Sequence, residues 1–543
     1  ITAAISGAKL PSAIETFGTD KLKVLLYPDD FNKLMKSFPM AKPRPQQVEA
    51  LERVTKAFNG GAQYVVLEAP TGSGKTAISM ALAQALGPSY ICTLTAQLQS
   101  QYFDLFGHLG LKMLKGRGKF NCARCSESCA VGAVLYEEDP CQSCPYIEAK
   151  GHALKSRTMV ANYHSFLWNI GRAKPREDEV IPTVRPFMVL DESHSVENFL
   201  LDTMGLTVKL SHYSVKLPAL STVDSEDPQP YIDWIQAAIP ILNAQYKLLS
   251  DPKAKDDLRR TVERMGGILA DVALGIKFIP ERGSKKSDAG WYPDPNWFAL
   301  KPLHVATYGQ QIWKFGQRLL LMSGTILDAG TVCSNIGLPL ADGEFIQLDS
   351  VFAPENRPII VHPMNMTKES REESWPEAAR LVDKLLDHHH DVKGLLLCPS
   401  NEMLKFIQAK LSRKNQTRLI TAFGGNREKR YQEHLTGRFP TVLAASGYWE
   451  GADLIGAASR FQIIPACPRP MWSGQIKARA KIEPKWYRFL TYSKLLQGYG
   501  RSVRAIEDFS ATYIFDRDFL TEMNRKDSLI PNWVKKAVKV VGT

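Results

Sequence analysis

Long apolar runs are what this chain most plainly lacks. No stretch of its 543 residues approaches the roughly 18 consecutive apolar residues of a membrane helix, and the longest runs resemble Gly394-Leu395-Leu396-Leu397-Cys398. A membrane-spanning chain and a membrane partner are therefore not expected. Internal repeats and low-complexity blocks are absent, and 33 Pro and 37 Gly are near background, which excludes collagenous and disordered classes. The opening residues Ile1-Thr2-Ala3-Ala4-Ile5-Ser6-Gly7 show no charged segment followed by an apolar one and no initiator Met, so no secretory leader is expected. Cysteine is sparse except in one place. Of nine, Cys92, Cys333, Cys398 and Cys467 are scattered, whereas Cys122, Cys125, Cys129, Cys141 and Cys144 fall together. A secreted disulfide framework would spread an even set over a small domain. A tight cluster in a long chain reads as a metal site in a reducing compartment.

Positive charge is in excess: 68 Lys and Arg against 56 Asp and Glu leave a net +12. That favours a polyanionic partner, most simply nucleic acid, while a solvated basic surface accounts for it equally well. The length suggests about three or four domains. Short apolar runs alternate with helical or loop-like stretches: 64–68, 90–95 and 187–190 early, then 394–398, 441–445, 461–466 and 512–515. Short buried strands alternating with helices predict an α/β fold with two parallel-sheet domains. Residues 110–160, which hold the cysteines, and 200–305, polar and mostly helical in pattern, read as insertions into the first domain.

The strand at 64–68 runs into Ala69-Pro70-Thr71-Gly72-Ser73-Gly74-Lys75-Thr76, and a helix-forming run follows until Gly87-Pro88. This is a Walker A loop with Ala at its first position. Gly72 and Gly74 let backbone N–H groups curl around phosphate oxygens, with Thr71 before them and Ser73 between them. Lys75 reaches the β- and γ-phosphates, the Thr76 hydroxyl ligates Mg²⁺, and the helix aims its positive end at the anion. Asp191-Glu192-Ser193-His194 ends another apolar strand. Asp191 is expected to hold Mg²⁺ and Glu192 to act as general base on the attacking water. Alone, an acidic pair is ordinarily a solvated loop; beside a Walker A loop it reads as a site.

That tetrad resembles the DEAH box of superfamily 2 helicases, with Ser193 in the Ala position. Other segments resemble that superfamily's motifs in the right order. Arg44-Pro45-Gln46-Gln47 is similar to the adenine-reading segment, with Gln47 as the implied base contact. Thr93-Leu94-Thr95-Ala96-Gln97 resembles an early DNA-contacting motif, and Ser323-Gly324-Thr325 the Ser-Ala-Thr coupling motif. Trp449-Glu450-Gly451-Ala452-Asp453 resembles motif V, which implies that Glu450, Gly451 and Asp453 face the nucleotide. Gln497-Gly498-Tyr499-Gly500-Arg501-Ser502-Val503-Arg504 resembles motif VI, which implies a nucleotide contact at Gln497 and arginine fingers at Arg501 and Arg504.

Two residues separate Cys122 from Cys125, three lead to Cys129, eleven to Cys141 and two to Cys144. Paired two-residue gaps suit a zinc ribbon, and iron–sulfur clusters take four thiolates at more varied spacing; residue types alone leave both open and lean to zinc. The flanks resemble the XPD/DinG helicases: Lys115-Gly116-Arg117 before the first ligand, Cys144-Pro145-Tyr146 at the last, Asn162-Tyr163-His164 after it, and the extended box from Asp191 to Glu197. The resemblance runs from Arg44 to about Arg517. It implies a [4Fe–4S] cluster on Cys122, Cys129, Cys141 and Cys144, with Cys125 as a possible substitute. It also implies a RecA-like motor domain 1 at 1–109, 161–199 and 306–338, an iron–sulfur domain at 110–160, an arch at 200–305, and motor domain 2 at 339–543. The metal would supply much of the folding free energy of so small an insertion. A wedge that parts strands and a simple staple both fit.

The segment from Lys477 to Phe489 mixes basic and aromatic residues; its aromatics are expected in the core and its charges on phosphates. The prolines of the segment from Trp291 to Phe298 suggest a packed loop. Without a base-reading module, backbone tracking is expected. The resemblance implies an ATP-dependent helicase using Mg²⁺, moving 5′-to-3′ on single-stranded DNA and unwinding forked or tailed duplex. A monomer in a bacterial, archaeal or phage-infected cytoplasm is expected. The alternatives are a single-strand-stimulated ATPase that remodels protein–DNA complexes without unwinding, and a nucleotide-switched scaffold.

Overall fold

The computed structural model describes residues 31–36, 38–125, 127–136, 144–172, 182–220, 226–287, 290–449, 451, 454–505 and 507–540. Strands β1 (Tyr64–Glu68), β2 (Ser89–Thr93), β3 (Leu111–Leu114), β4 (Thr158–Asn162) and β5 (Arg185–Asp191) join β9 (Gly316–Ser323) and β10 (Gly343–Gln347). They form a parallel sheet in the order β10-β1-β9-β5-β2-β4-β3. Every residue of β1 is buried. Side chains alternate across a strand, so Tyr64 and Val66 enter one apolar cluster while Val65 and Leu67 enter the other. In β5, Met188 and Leu190 likewise face away from Phe187 and Val189. Continuous apolar runs are what a sheet covered on both faces demands. Helices α1 (Pro45–Asn59), α2 (Lys75–Leu86) and α3 (Ala96–Phe106) contribute to the second of those clusters.

The cysteine insertion carries α4 (Cys129–Leu135) and α5 (Pro145–Lys155), and α6 (Val196–Met204) follows the acidic box. The second insertion carries two long helices, as its pattern predicts, together with a sheet that the pattern does not announce. Strands β6 (Leu206–Lys209), β7 (Phe278–Ser287) and β8 (Gly290–Pro302) make an antiparallel sheet in the order β6-β8-β7. The segment from Trp291 to Phe298, expected as a packed loop, belongs to β8. Hairpin pairing with β7 overrides the local preference of its prolines. The long helices α7 (Gln229–Leu248) and α8 (Pro252–Ala273) share one apolar cluster with this sheet. Helix α8 also lies against α4, so the two insertions meet.

The second parallel sheet holds β11 (Ile359–Met364), β12 (Gly394–Leu397), β13 (Leu419–Ala422), β14 (Val442–Ala445), β15 (Phe461–Ile464), β16 (Ala511–Asp516) and β17 (Val538–Val540). Its order is β13-β14-β12-β15-β16-β11-β17. Helices α9 (Gly474–Ile482) and α10 (Pro484–Tyr499) lie between β15 and β16 in the chain. One boundary needs correction. Residues 343–347 were assigned to the second domain by the 338/339 division, yet β10 pairs in register with β1 of the first sheet. One apolar cluster includes Leu395 and Leu397 of β12 together with Tyr64 and Val66 of β1, so the two domains share a core. No helix among the described residues is long and apolar enough to cross a membrane.

Candidate active site

Three neighbouring strands of the first sheet end at one level: β1 at Glu68, β5 at Asp191 and β9 at Ser323, with Glu68 opposite Ser323 and Asp191 opposite Met322. Loops leaving the carboxyl ends of parallel strands form the usual ligand crevice of such sheets. Here they bring the Walker A loop, the acidic box and Ser323-Gly324-Thr325 together. Gly72 and Gly74 have φ of 85° and 78°, the left-handed region that glycine tolerates. Neither position has room for a side chain: a Cβ on Gly72 would lie 2.5 Å from Phe352, and one on Gly74 2.2 Å from Gln47 Nε2. Lys75 Nζ donates to Ala69 O at 3.2 Å. Glu68, just before the loop, is fully buried; its carboxylate accepts from Leu327 N at 2.7 Å and Gln347 Nε2 at 3.2 Å. Burial pushes its pKa up to about 7 against those two hydrogen bonds.

Asp191 is buried, and Oδ2 accepts from Tyr102 Oη at 3.3 Å while Oδ1 accepts from Glu192 N at 3.0 Å. Tyr163 Oη donates to its backbone carbonyl at 2.8 Å, which gives the Asn162-Tyr163-His164 segment a concrete task. Burial, then the neighbouring Glu192 charge, pushes Asp191 up to about 7. A divalent cation beside it would hold it ionised. Glu192 sits at φ 52°, a left-handed conformation rare for its type. Burial works against its charge, but Lys75, His194, the Ser323 hydroxyl and Arg501 together outweigh that and hold its pKa below the ordinary value. Ser323 Oγ donates to Glu192 Oε2 at 3.1 Å and lies 2.6 Å from His194 Nδ1.

The opposite wall comes from the second domain. Gln497 Nε2 reaches His194 Nε2 and donates to Thr325 Oγ1 at 3.3 Å. Arg501 Nε donates to Trp449 O and Gln497 O, both at 3.1 Å, and Arg504 N to Asp508 Oδ2 at 2.9 Å. Gly500 approaches so closely that a Cβ there would lie 3.2 Å from Thr71 Oγ1. The resulting cleft encloses about 710 Å³ and is lined by Thr71, Gly72, Gly74, Lys75, Thr76, Asp191 and Glu192 facing Gly451, Gln497, Arg501 and Arg504. That is ample for a nucleotide. Ser73 is buried within the loop. Glu450 and Asp453 lie outside the described residues.

Arg44 also lines the cleft, its Nη1 donating to Gly72 O at 2.6 Å. Gln47 is placed otherwise than expected of a base contact. It is buried behind the loop, its Oε1 accepting from Arg44 N at 2.8 Å and its Nε2 donating to Gly74 O at 3.4 Å. Phe352, Arg357, Tyr499 and Trp533 also line the cleft. Phe352, Arg357, Trp533 and Tyr102 belong to no motif that the sequence displays, whereas Tyr499 lies within the segment from Gln497 to Arg504. In the stretch from Lys477 to Phe489, Lys477 and Lys481 are exposed, while three other charges depart from the expected phosphate contacts. Arg479 is buried, Lys485 pairs with Asp328 at 2.7 Å, and Arg488 pairs with Glu522 and Asp527; these charges are taken up within the protein. Trp486 and Phe489 are in the core as expected.

In the cysteine insertion, Cys129 and Cys144 place their Sγ atoms 3.5 Å apart. A Cβ on Gly132 would lie 2.4 Å from Cys122 Sγ and 3.7 Å from Cys125 Sγ, so this glycine leaves the room that two sulfurs occupy. Arg117 lies over the Tyr146 ring at 4.9 Å, and Phe120 meets it edge-on, which ties the two flanks together. Cys141 lies outside the described residues. Among the described residues no group of three or more metal-type side chains is arranged to hold an ion. The thiol pairs and the space at Gly132 fit the sulfur side of a metal centre.

Two paired parallel sheets with a nucleotide-sized cleft between them, phosphate loop on one wall and arginines on the other, are the arrangement of two RecA-like domains. Sequence models agree. The model described as Type III restriction enzyme, res subunit, matches residues 40–199, and the helicase C-terminal domain matches residues 384–537. Among solved structures the chain is similar to an XPD helicase at 15% identity and TM-score 0.64, covering 92% of this chain and 100% of that one. It is also similar to an apo XPD at 14% and 0.59, covering 91% and 100%, and to S. tokodaii Xpd4 at 15% and 0.58, covering 92% and 100%. Comparison with curated proteins gives no match. The chain thus shares the fold of the XPD structures, and its second half carries a helicase C-terminal domain.

Proposed function

We propose that the chain is a DNA helicase that hydrolyses Mg-ATP, moves 5′-to-3′ along single-stranded DNA and unwinds forked or tailed duplex ahead of it. The observation that carries this reading is the cleft in which Lys75, Thr76, Asp191 and Glu192 face Gln497, Arg501 and Arg504. Lys75 and the loop N–H groups bind the phosphates, and Thr76 and Asp191 are the groups that would hold Mg²⁺. When bound, Mg²⁺ neutralises phosphate charge. Glu192, kept ionised by its neighbours, accepts a proton from the attacking water. Arg501 and Arg504 bring positive charge from the other domain to the γ-phosphate, so hydrolysis requires the two domains to be seated. Gln47 and Arg44 support this cleft from behind and beside the loop. The expected nucleotide contacts at Glu450, Gly451 and Asp453 and the domain divisions, with the first boundary moved past Gln347, belong to the same reading.

The cysteines would hold a [4Fe–4S] cluster, with Cys122, Cys129 and Cys144 as ligands and either Cys141 or Cys125 as the fourth. A cluster there would supply a rigid crosslink of the insertion. Strand displacement on matched duplexes with a 5′ or a 3′ tail, with ATP and Mg²⁺, tests the function. Unwinding of the 5′-tailed substrate alone, lost in Lys75→Ala, is expected. Preference for the 3′ tail overturns the polarity. Single-strand-stimulated hydrolysis without displacement of either duplex selects the remodelling translocase.

A further inference from the structure

Glu197, five residues beyond Glu192, is a buried acid that the reaction outlined above does not use. It begins α6 and is gripped by both domains. Arg479 Nη1 from α9 donates to Oε1, Trp486 Nε1 from the first turn of α10 donates to Oε2 at 2.8 Å, and Asn335 Nδ2 of the first domain donates to Oε2 at 2.5 Å. Arg479 Nη2 donates to Asn335 Oδ1 at 2.6 Å, and the guanidinium lies 4.3 Å from the centre of the Trp486 ring. The ion-paired side chains are only 2% and 3% exposed. Two charges this dry are costly to desolvate, and the cost is recovered only while partners from both domains are in place.

Helix α10 links this network to the cleft. Trp486, Ser493 and Gln497 are seven and eleven positions apart, so they share one helical face. Ser493 Oγ donates to Thr325 O at 3.2 Å, Gln497 meets Thr325 and His194, and Arg501 follows just past the helix end. The sixteen residues of α10 are a rod of about 24 Å. Its first turn is held by Glu197 and its last by His194, both in the segment that carries Glu192.

We propose that Glu197 is a positioning residue for ATP hydrolysis. By fixing the N-terminal end of α10 through Trp486 and Arg479, it sets where the other end presents Gln497 and Arg501. This rests on reading the cleft as an ATP-hydrolysing site. The test is steady-state, single-strand-stimulated ATP hydrolysis by the full chain carrying Glu197→Gln, Arg501→Ala, or both, with Trp486→Phe as a milder variant and thermal melting of each.

For Glu197→Gln, kcat should fall about a hundredfold, the scale of a 1 Å misplacement, with KM for ATP within about twofold. The double variant should be little slower than Arg501→Ala alone, because both changes act through one group. Trp486→Phe should lower kcat in the same direction and by less. Multiplicative losses in the double variant, a rise in KM at unchanged kcat, or a lowered melting temperature with normal kcat would overturn the proposal. Wild-type chain that hydrolyses no ATP overturns the parent reading and this one together; active wild type with unaltered Glu197→Gln and Trp486→Phe overturns this one alone.

Discussion

At the scale of single residues, the cleft sets two carboxylates at opposite extremes. Asp191 is raised by burial and by Glu192, while Glu192 is held down by Lys75, His194, Ser323 and Arg501. Glu192→Gln should therefore lower kcat by about 10²- to 10⁴-fold, the usual worth of a general base, while fluorescent ATP-analogue affinity stays near wild type. Glu68 allows a separate prediction about stability. Its folded pKa, about 7, lies above the ordinary value of 4.5, so its contribution is complete at pH below about 4.5 and is lost as pH rises through 7. The loss amounts to about 3 kcal/mol at most. Denaturant titrations should show Glu68→Gln less stable than wild type relative to its own standing at pH 7 when both are measured at pH 5. Parallel pH profiles for the two proteins would refute the assignment.

At the scale of elements, the cysteine insertion depends on one missing side chain. Gly132→Ala would push a Cβ within 2.4 Å of Cys122 Sγ. With the proposed cluster in place, anaerobically purified Gly132→Ala should carry less than about half the wild-type iron and a correspondingly weaker brown colour. Equal iron content in the two proteins would show that the sulfurs are arranged elsewhere. Legibility in the sequence also divides by element. The strand Tyr64–Glu68 and the box at Asp191 were readable because an apolar run buried on both faces and a motif at its end coincide. Strand β10 was not, because Glu344, Phe345 and Gln347 are exposed at a sheet edge and carry no alternation. The antiparallel sheet of the second insertion was missed because its prolines argue locally for a loop. Arg479 was misread because a basic-aromatic pattern looks the same whether its charges meet a phosphate or a partner 282 residues away.

At the scale of the whole molecule, the domains are closed on each other by an apolar core and a row of polar contacts along α10. Sequence motifs identified both walls of the cleft, Tyr499 included, but not Phe352 and Trp533, which come from segments far apart in the chain. The strand order carries one more consequence. β1, which holds the phosphate loop, has β9 and β10 as its neighbours, and both follow the two insertions in the chain. During synthesis β1 must wait, with both its edges unpaired, until residues 316–347 have left the ribosome. The helices of the cysteine insertion and the antiparallel sheet precede those residues in the chain. Assembly is therefore expected to proceed from the appendages inward, with the nucleotide cleft closing last.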